Sequence, residues 1–579
     1  MNKEIPKDPI VNCHTHIFKG EHVPPYLAKS FVWPPMYYLF HLPTILAIFK
    51  YVLKRINRAK YRPNSLYNRT NRFLDKLKRI WITRILLFLI LFWLSLNAII
   101  IGIRWISIIF PISGSPEDYM DKAIQFLLNY RLLLPDTNWW LNLAIVIFVF
   151  SFVKIARNLF FFILRSIWRF LNFLPGKNTK ELLGRYVLLG RYALYQNQTA
   201  TFTKLKGQYP PGSRFVILPM DMKYMKAGNL KPEGKYKEQM AELVKMKNSR
   251  SGKLIDPFVF IDPRRIEKQK GFLDYSIHGG KVSLEKCEVQ EYIEDHKFGG
   301  FKIYPALGYY PFDEALLPLW KYAADEKIPI MTHCIRGTIF YRGSKLRIWD
   351  THPIFLESDG KGNTRPLSLP QKKNIDFSVN FTNPLNYLCL LSEPLLRRVV
   401  AKAKNPNIRM LFGFSDSGTP LKHDLAHLKI CLAHFGGEEE WVKYLEADRY
   451  SFAQRLIKDR TRGIDFKLDS NTSLSWNVLE QIWKYVDWYS IICSMILQYP
   501  NVYSDISYIL SKPRILPLLK ETLDQDLNPH LRERVLFGTD FYVVRNHFSE
   551  KDLVAQMTAG LSEEEFDLIA RENPKRYLR

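Results

Sequence analysis

Two imidazoles two positions apart, His14 and His16, follow the apolar run Ile10-Val11-Asn12-Cys13. They stand at the C-terminal mouth of an expected first strand. Residues i and i+2 of a strand point to the same side, so the pair can hold one cation between them. Three further polar residues close apolar runs of strand character. His333 follows Ile328-Pro329-Ile330-Met331-Thr332, His434 follows Ile430-Cys431-Leu432-Ala433, and Asp540 follows Val535-Leu536-Phe537-Gly538-Thr539. Each histidine taken singly reads as a core residue. Five suitably typed side chains at strand ends point instead to a metal centre. Imidazole nitrogen with carboxylate oxygen suits zinc first, with manganese, iron or cobalt as alternatives.

These residues need a scaffold that brings strand ends together. Strand-like and helix-like stretches alternate along the chain, the pattern of a parallel sheet with crossover helices. Eight strands are expected to end near Cys13, Met220, Ile261, Tyr304, Thr332, Ala433, Ile506 and Thr539, with helices such as Pro318 to Glu326 and Lys551 to Ala559. The economical arrangement is an α/β fold, a closed (β/α)8 TIM barrel. The chain has 579 residues, against about 250 for an ordinary barrel, so a surplus needs explaining. Part of it falls in 336–429, where the Gly-, Pro- and Ser-rich stretch Ser358 to Gln371 reads as a cap or lid, since long loops in compact domains are usually functional.

The order and wording of several stretches resemble the amidohydrolase superfamily, and within it the amidohydrolase-related branch that contains aminocarboxymuconate semialdehyde decarboxylase. They are NCHTHIF at 12–18, GGFKIYPALGYYP at 299–311, PIMTHC at 329–334, LKICLAHFGG at 428–437, NVYSDIS at 501–507 and VLFGTDF at 535–541. A metal-dependent hydrolase barrel is what the resemblance implies. One divalent ion would be bound by His14, His16, His333 and Asp540, with a position left for water whose acidity the ion would raise. Asp540 would then carry the proton, and His434 would polarise the substrate or the attacking water. Lys302, at the end of the fourth strand, stands where some members carry a carboxylated lysine bridging a second metal. The single-metal reading with an unmodified, substrate-binding Lys302 is preferred. Arg336, three residues past His333, could meet a substrate carboxylate by a bidentate contact.

The formal charge of +27 raises the question of nucleic acid, and its placement answers it. Residues 50–84 hold twelve Lys/Arg against Asp75, and 154–191 hold eight against Glu181, so eighteen of the twenty-seven charges lie there. Between these flanks run two uncharged apolar stretches, 85–103 and 137–153. Both approach the roughly 20 residues needed to span a bilayer. The intervening loop, 104–136, has three basic and four acidic residues. The positive-inside rule then puts the basic flanks and the barrel in the cytoplasm and that loop outside. The N-terminus reads as no signal peptide. Ser30 to Phe49, interrupted by Pro34, Pro35 and Pro43 and carrying Trp33, Tyr37 and Tyr38, reads as interfacial, with packing on the barrel as the close alternative. The stretch from Phe160 to Phe170 reads as a basic amphipathic helix on the same surface.

The expected organisation is therefore a first strand in 1–19, a helical transmembrane insertion over 20–189, and the rest of the barrel in 190–579. The insertion leaves the chain after the first strand, on the face where barrel active sites lie. The six cysteines lack metal-site spacing and read as reduced core residues. Cys13, Cys334 and Cys431 are set aside as ligands because neighbours in a strand face opposite sides. No phosphate loop, nucleophile elbow or internal repeat occurs. The functional expectation is a membrane-anchored hydrolase of a C–N or ester-type bond, working on a small molecule that is amphipathic or carboxylate-bearing, with membrane lipid as its other partner and no nucleic acid. The alternatives are a non-oxidative decarboxylase at the same metal, and a catalytically silent, membrane-tethered binding barrel.

Overall fold

The computed structural model of the protein describes residues 8–31, 36–61, 66–109, 122, 124–134, 138–153, 185–186, 189–190, 195, 197–232, 235–359, 363–446, 452–466, 475–541 and 549–578. The expectations for Trp33, Pro34, Pro35, residues 110–121 of the expected outer loop and the stretch from Phe160 to Phe170 lie outside the described residues. Two compact units emerge, Met1–Phe49 with Glu181–Arg579, and Lys50–Lys180.

The larger unit is built on β1 (Val11–Thr15), β2 (Arg214–Ile217), β3 (Ile255–Phe260), β4 (Tyr275–His278), β5 (Lys281–Leu284) and β6 (Gly300–Lys302). It continues with β7 (Ile330–Met331), β8 (Thr351–Ser358), β9 (Thr364–Ser368), β10 (Ile430–Cys431), β11 (Val502–Asp505) and β12 (Val535–Leu536). Eight of these pair in parallel in the order β1-β2-β3-β6-β7-β10-β11-β12. The ring closes between its ends: Cys13 N–H donates to Phe537 C=O at 2.9 Å, Asp540 N–H to His14 C=O at 2.9 Å, and His16 N–H to Phe541 C=O at 3.0 Å. All eight expected strands are present, and the two named helices form as Leu317–Asp325 and Glu550–Gly560. The fold is a (β/α)8 barrel.

Inward side chains from neighbouring strands fill its interior. Val11, Cys13, Val216, Phe258, Met331 and Cys431 make an inner cluster, while a larger apolar layer lies between strands and helices. In β1 the simple alternation breaks. The pairing runs Val11 to Arg214 and Asn12 to Phe215, then Thr15 to Ile217, so β1 carries one extra residue between Asn12 and Thr15. Such a bulge re-aims the side chains around it. Cys13 consequently packs in the barrel interior although its neighbour His14 also reaches across the barrel to Asp505. The alternation argument against Cys13 as a ligand does not hold. Burial, which pushes its thiol pKa up, keeps it protonated instead. All six cysteines are buried and free.

Three expectations about the surplus chain need correction. The second unit, 50–180, is narrower than 20–189, because Val23, Leu27, Ala28, Leu42, Tyr186 and Leu189 are buried in the barrel's main core. Tyr37 and Phe40 also pack against that core, so much of Ser30 to Phe49 is barrel packing rather than an interfacial segment, with Tyr38 and Leu39 exposed. Finally, Ser358 to Gln371 is not a plain loop. Ser358 ends β8 and Thr364–Ser368 is its antiparallel partner β9, anchored through Glu357 to Arg365 at 2.9 Å and to Lys484 at 3.1 Å.

One buried histidine in this segment is structural. His352 accepts N–H groups from Ile354 at 3.1 Å and Phe355 at 2.8 Å through Nδ1, and its Nε2–H donates to Asn386 Oδ1 at 3.0 Å. That pattern needs the neutral ring. Burial lowers its pKa from 6.5 to about 3. The unfolded chain therefore binds the proton first, so the contribution to stability is complete above pH 6.5 and is lost as pH falls toward 3, at about 1.4 kcal/mol per pH unit. Unfolding titrations at pH 6.5 and 5 should show His352→Asn losing less stability across that interval than the parent chain. Parallel losses in both would place the acid sensitivity elsewhere.

In the unit 50–180, helices run over Leu66–Leu77, Trp81–Ile109 and Trp139–Phe152. Trp81–Trp105 is long and apolar enough to cross a membrane, and it is the one such helix among the described residues. The other expected span is a helix of 14 residues, short of a bilayer at about 1.5 Å per residue, and residues 154–184 lie outside the described residues. Ala98 and Ile101 pack on Ile145 and Val149. Asn97 ties the connection, donating to Leu132 C=O at 3.2 Å and accepting Leu134 N–H at 2.7 Å. Much of the outer surface is apolar, with Ile85, Leu86, Phe88, Leu89, Phe92 and Ile147 exposed.

Candidate active site

The C-terminal ends of the barrel strands bring His14, His16, Asp505 and Asp540 together. His14 lies in β1 and His16 just after it, Asp505 ends β11, and Asp540 follows β12. Gly538 permits the approach: a Cβ there would stand 2.8 Å from His14 Cβ and 3.2 Å from Ser507 Cβ. Backbone strain gathers at the same place. Asp540, His434, Phe435 and Tyr508 have φ of +53°, +69°, +47° and +65°, a region that non-glycine residues occupy only where the surroundings enforce it.

Hydrogen bonds settle which ring nitrogens carry protons. His14 Nδ1 meets Asp505 Oδ2 at 2.8 Å and His16 Nδ1 meets the Leu218 carbonyl at 2.7 Å. Both partners only accept, so both Nδ1 atoms donate and both Nε2 atoms turn toward Asp540. His16 Nε2 is 3.3 Å and His14 Nε2 4.0 Å from Asp540 Oδ1. His14 Nε2 is buried with no hydrogen-bond partner. An imidazole lone pair and a carboxylate oxygen approach this closely only with a proton or a cation between them. His14, His16 and Asp540 thus form a tight group of metal-ligand type.

A second chain of bonds orients the remaining histidines. Ser507 Oγ donates to Asp505 Oδ1, so His434 Nδ1–H must donate to Ser507 Oγ, at 2.8 Å. His434 Nε2 then accepts from His333 Nδ1 at 3.1 Å. His333 Nε2 is left as a buried lone pair without a partner, beside the ring of Tyr304, stacked at 4.0 Å between centroids. Gly337 keeps the space next to it open, since a Cβ there would sit 3.5 Å from His333 Nε2. His333 carries the nitrogen form a ligand needs, yet it falls outside the tight group of three. His434 and Asp505 form another cluster with His14, but Asp505 Oδ2 is already committed to His14 Nδ1, so that cluster orients rather than ligates.

The charges agree. Burial is the largest influence on His14, lowering its pKa to about 3, and on His333 and His434, which are also lowered. All three rings stay neutral. Burial, the largest influence, would raise Asp505 and Asp540, but His14, His434 and Ser507 together outweigh it at Asp505, and His16 with the neighbouring rings outweighs it at Asp540, so both are lowered and remain carboxylates. Buried Lys302 is lowered to about 8, with Asp505 and Asp540 opposing the desolvation.

A cavity of about 60 Å³ opens over this group, lined among others by His16, His333, His434, Asp540, Tyr304 and Arg185. Lys302 is not in its wall and donates to the Thr332 carbonyl at 3.0 Å. Arg336 is half-exposed and paired with Asp376. Ile339, from the expected cap segment, does line the cavity. Sequence reasoning missed Asp505, Ser507, Tyr304 and Arg185. A signal for the first existed, an aspartate at the end of the apolar strand Val502-Tyr503-Ser504.

No protein-family profile and no curated protein matches the chain. Among solved structures it is similar to 2,6-dihydroxybenzoate decarboxylase from Rhizobium, at 14% identity over 70% of this chain and 92% of that one, with a TM-score of 0.33. The same enzyme complexed with 2,6-dihydroxybenzoate aligns at 15% identity over 70% of this chain and 93% of that one, TM-score 0.33. An amidohydrolase from Mycobacterium avium subsp. paratuberculosis K-10 aligns at 15% identity over 66% and 74% of the two chains, TM-score 0.28. The strand order and closure of this chain make it a (β/α)8 barrel with a metal-ligand group at the C-terminal mouth.

Proposed function

We propose that the protein is a metal-dependent enzyme of the amidohydrolase superfamily, a hydrolase acting on a C–N or ester-type bond. The observation that carries this reading is the convergence of His14 Nε2 and His16 Nε2 on Asp540 Oδ1, at 4.0 and 3.3 Å, with both Nδ1 atoms held by acceptors. One divalent ion fits there, zinc by donor type, with His333 as a further ligand if its ring turns toward the group. When bound, the ion supplies a Lewis acid that polarises the substrate and acidifies water. Asp540 holds or passes the proton, Asp505 and the Leu218 carbonyl keep the imidazoles in their binding tautomers, and the apolar wall excludes water.

Decarboxylation of an acidic substrate is the second reading, favoured by the cationic Arg185 in the cavity wall. Metal analysis with a substrate screen on the purified protein separates the enzymes from a silent binding barrel, and released carbon dioxide separates decarboxylase from hydrolase. We further propose anchorage in the inner or plasma membrane with the barrel in the cytoplasm. The long apolar helix Trp81–Trp105 supports it, as do the basic flanks. The native protein should then resist high salt and alkaline carbonate and come out only with detergent, and a cysteine placed near Ser115 should react with an impermeant reagent on intact cells. Recovery in the high-salt soluble fraction would remove the membrane reading and leave the metal argument standing.

A further inference from the structure

We infer that a second cleft in the barrel unit, separate from the active-site cavity, binds a phosphate monoester, with the phosphate seated among Lys29, Lys223, Lys226 and the Tyr224 hydroxyl. The cleft holds about 590 Å³ and is walled by Lys29 and by residues from 223–229 and 341–346. These segments follow β1, β2 and β7 in the chain. The active-site cavity takes Leu27, Met222 and Ile339 from the same segments, yet no described residue lines both spaces. The two sites are therefore neighbours with different walls.

The charge of the second cleft has one sign. Among the described residues no carboxylate stands in its wall, and Lys29, Lys223 and Lys226 make no ion pair. Lys29 Nζ donates to the Lys226 carbonyl at 3.1 Å, which draws its ammonium onto the loop that carries the other two. Lys226 has φ of +62°, a costly conformation for a residue with a side chain, and Tyr26 N–H ties the loop down through the Ala227 carbonyl at 3.0 Å. The carboxylates whose charge reaches Tyr224 are Asp221 and Asp262. Both are already matched, by Arg265 at 2.5 Å and Arg264 at 2.6 Å, so neither offsets the lysines. A buried donor stands in the same wall. Tyr224 is 8% exposed and its hydroxyl has no hydrogen-bond partner, a defect that an acceptor oxygen in the cleft removes. Lys223 Nζ lies 5.3 Å and the Arg264 guanidinium 5.1 Å from its ring centroid. A phosphate monoester brings about −1.5 to −2 charges at pH 7 and three acceptor oxygens, which answers three ammoniums and a hydroxyl better than the single charge of a carboxylate. The cleft is within the range of small-molecule sites, about 300–1,000 Å³, and leaves room beside Tyr341 and Leu346 for the group that bears the phosphate. That group belongs either to a free phosphorylated compound or to a lipid headgroup.

Calorimetry on the full chain in one nonionic detergent tests this, with inorganic phosphate, glycerol 3-phosphate, dioctanoyl phosphatidic acid and, as the uncharged control, glycerol. Each titration is repeated in EDTA, which withdraws any divalent ion at the active site from the binding of anions. All three phosphates should bind in both conditions and glycerol in neither. Equal affinity for glycerol 3-phosphate and the lipid identifies a free phosphorylated compound as a sufficient ligand, whereas a lipid preference of about tenfold or more identifies a headgroup. Tyr224→Phe should weaken glycerol 3-phosphate by about tenfold or more, the scale of a hydrogen bond to a charged group. Lys223→Gln combined with Lys226→Gln should weaken it further, while Lys551→Gln, at an exposed position on another helix, should leave it unchanged. Absence of phosphate binding, binding that EDTA abolishes, wild-type affinity in either cleft variant, or an equal loss in Lys551→Gln would each overturn the inference.

Discussion

Replacing His16 or Asp540 with alanine is expected to abolish divalent-metal binding and activity together. Each contributes an atom to the closest pair in the group, 3.3 Å apart. Metal polarisation is worth several kcal/mol in a transition state, so the loss in kcat/KM should reach about 10³-fold or more. Asp540→Asn separates ligation from proton transfer. The amide oxygen can still coordinate but cannot act as a base, so activity should fall further than metal content. Elemental analysis of metal-loaded protein alongside turnover reads both quantities. Equal losses in Asp540→Asn would make the carboxylate chiefly a ligand, and wild-type protein without stoichiometric metal would favour the silent barrel.

Asp505 should prove almost as important although it is placed to touch no substrate. It holds His14 Nδ1 at 2.8 Å, accepts the Ser507 hydroxyl and the His434 N–H, and is fully buried. Asp505→Ala strips the acceptor that sets the His14 tautomer, and metal affinity should fall by about 10–100-fold, the range for groups that orient metal-bound histidines. It also breaks a buried charged network, so stability should drop by about 3–5 kcal/mol. Asp505→Asn keeps the volume and an acceptor oxygen while losing the charge. It should fold near-normally yet still bind metal more weakly. Metal titration and unfolding on both variants check this, and wild-type affinity in Asp505→Asn would show that shape alone positions His14.

The corrections share one physical origin. Strand ends were legible because buried parallel strands are short apolar runs, and a polar residue closing such a run stands out at His14, His333, His434 and Asp540. Ligand assignment within that set was less legible. His333 and His434 look alike in sequence, and only the direction of the bond from His333 Nδ1 to His434 Nε2 tells their states apart. Arg336 follows His333 closely in sequence, but Asp376, forty residues away in the chain, holds it at the surface. Arg185 lies in a segment whose composition spoke for the membrane, and nothing local marked it as a wall of the cavity.

By itself the sequence determined the barrel, its eight strand ends, the donor types of the centre and the long apolar helix, since each depends on local patterning of apolar and polar residues. Tertiary structure alone decided the rest. The extra residue in β1 placed Cys13 and His14 both inward against the expected alternation, and the approach of β11 gave His14 its partner in Asp505, 491 positions on. Burial of Val23, Leu27, Ala28, Leu42, Tyr186 and Leu189 in the barrel core redrew the insertion boundary. These are contacts between distant parts of the chain, and their energy depends on closed geometry, on which groups lose water together and which acceptor lies within reach. No window of sequence contains that information.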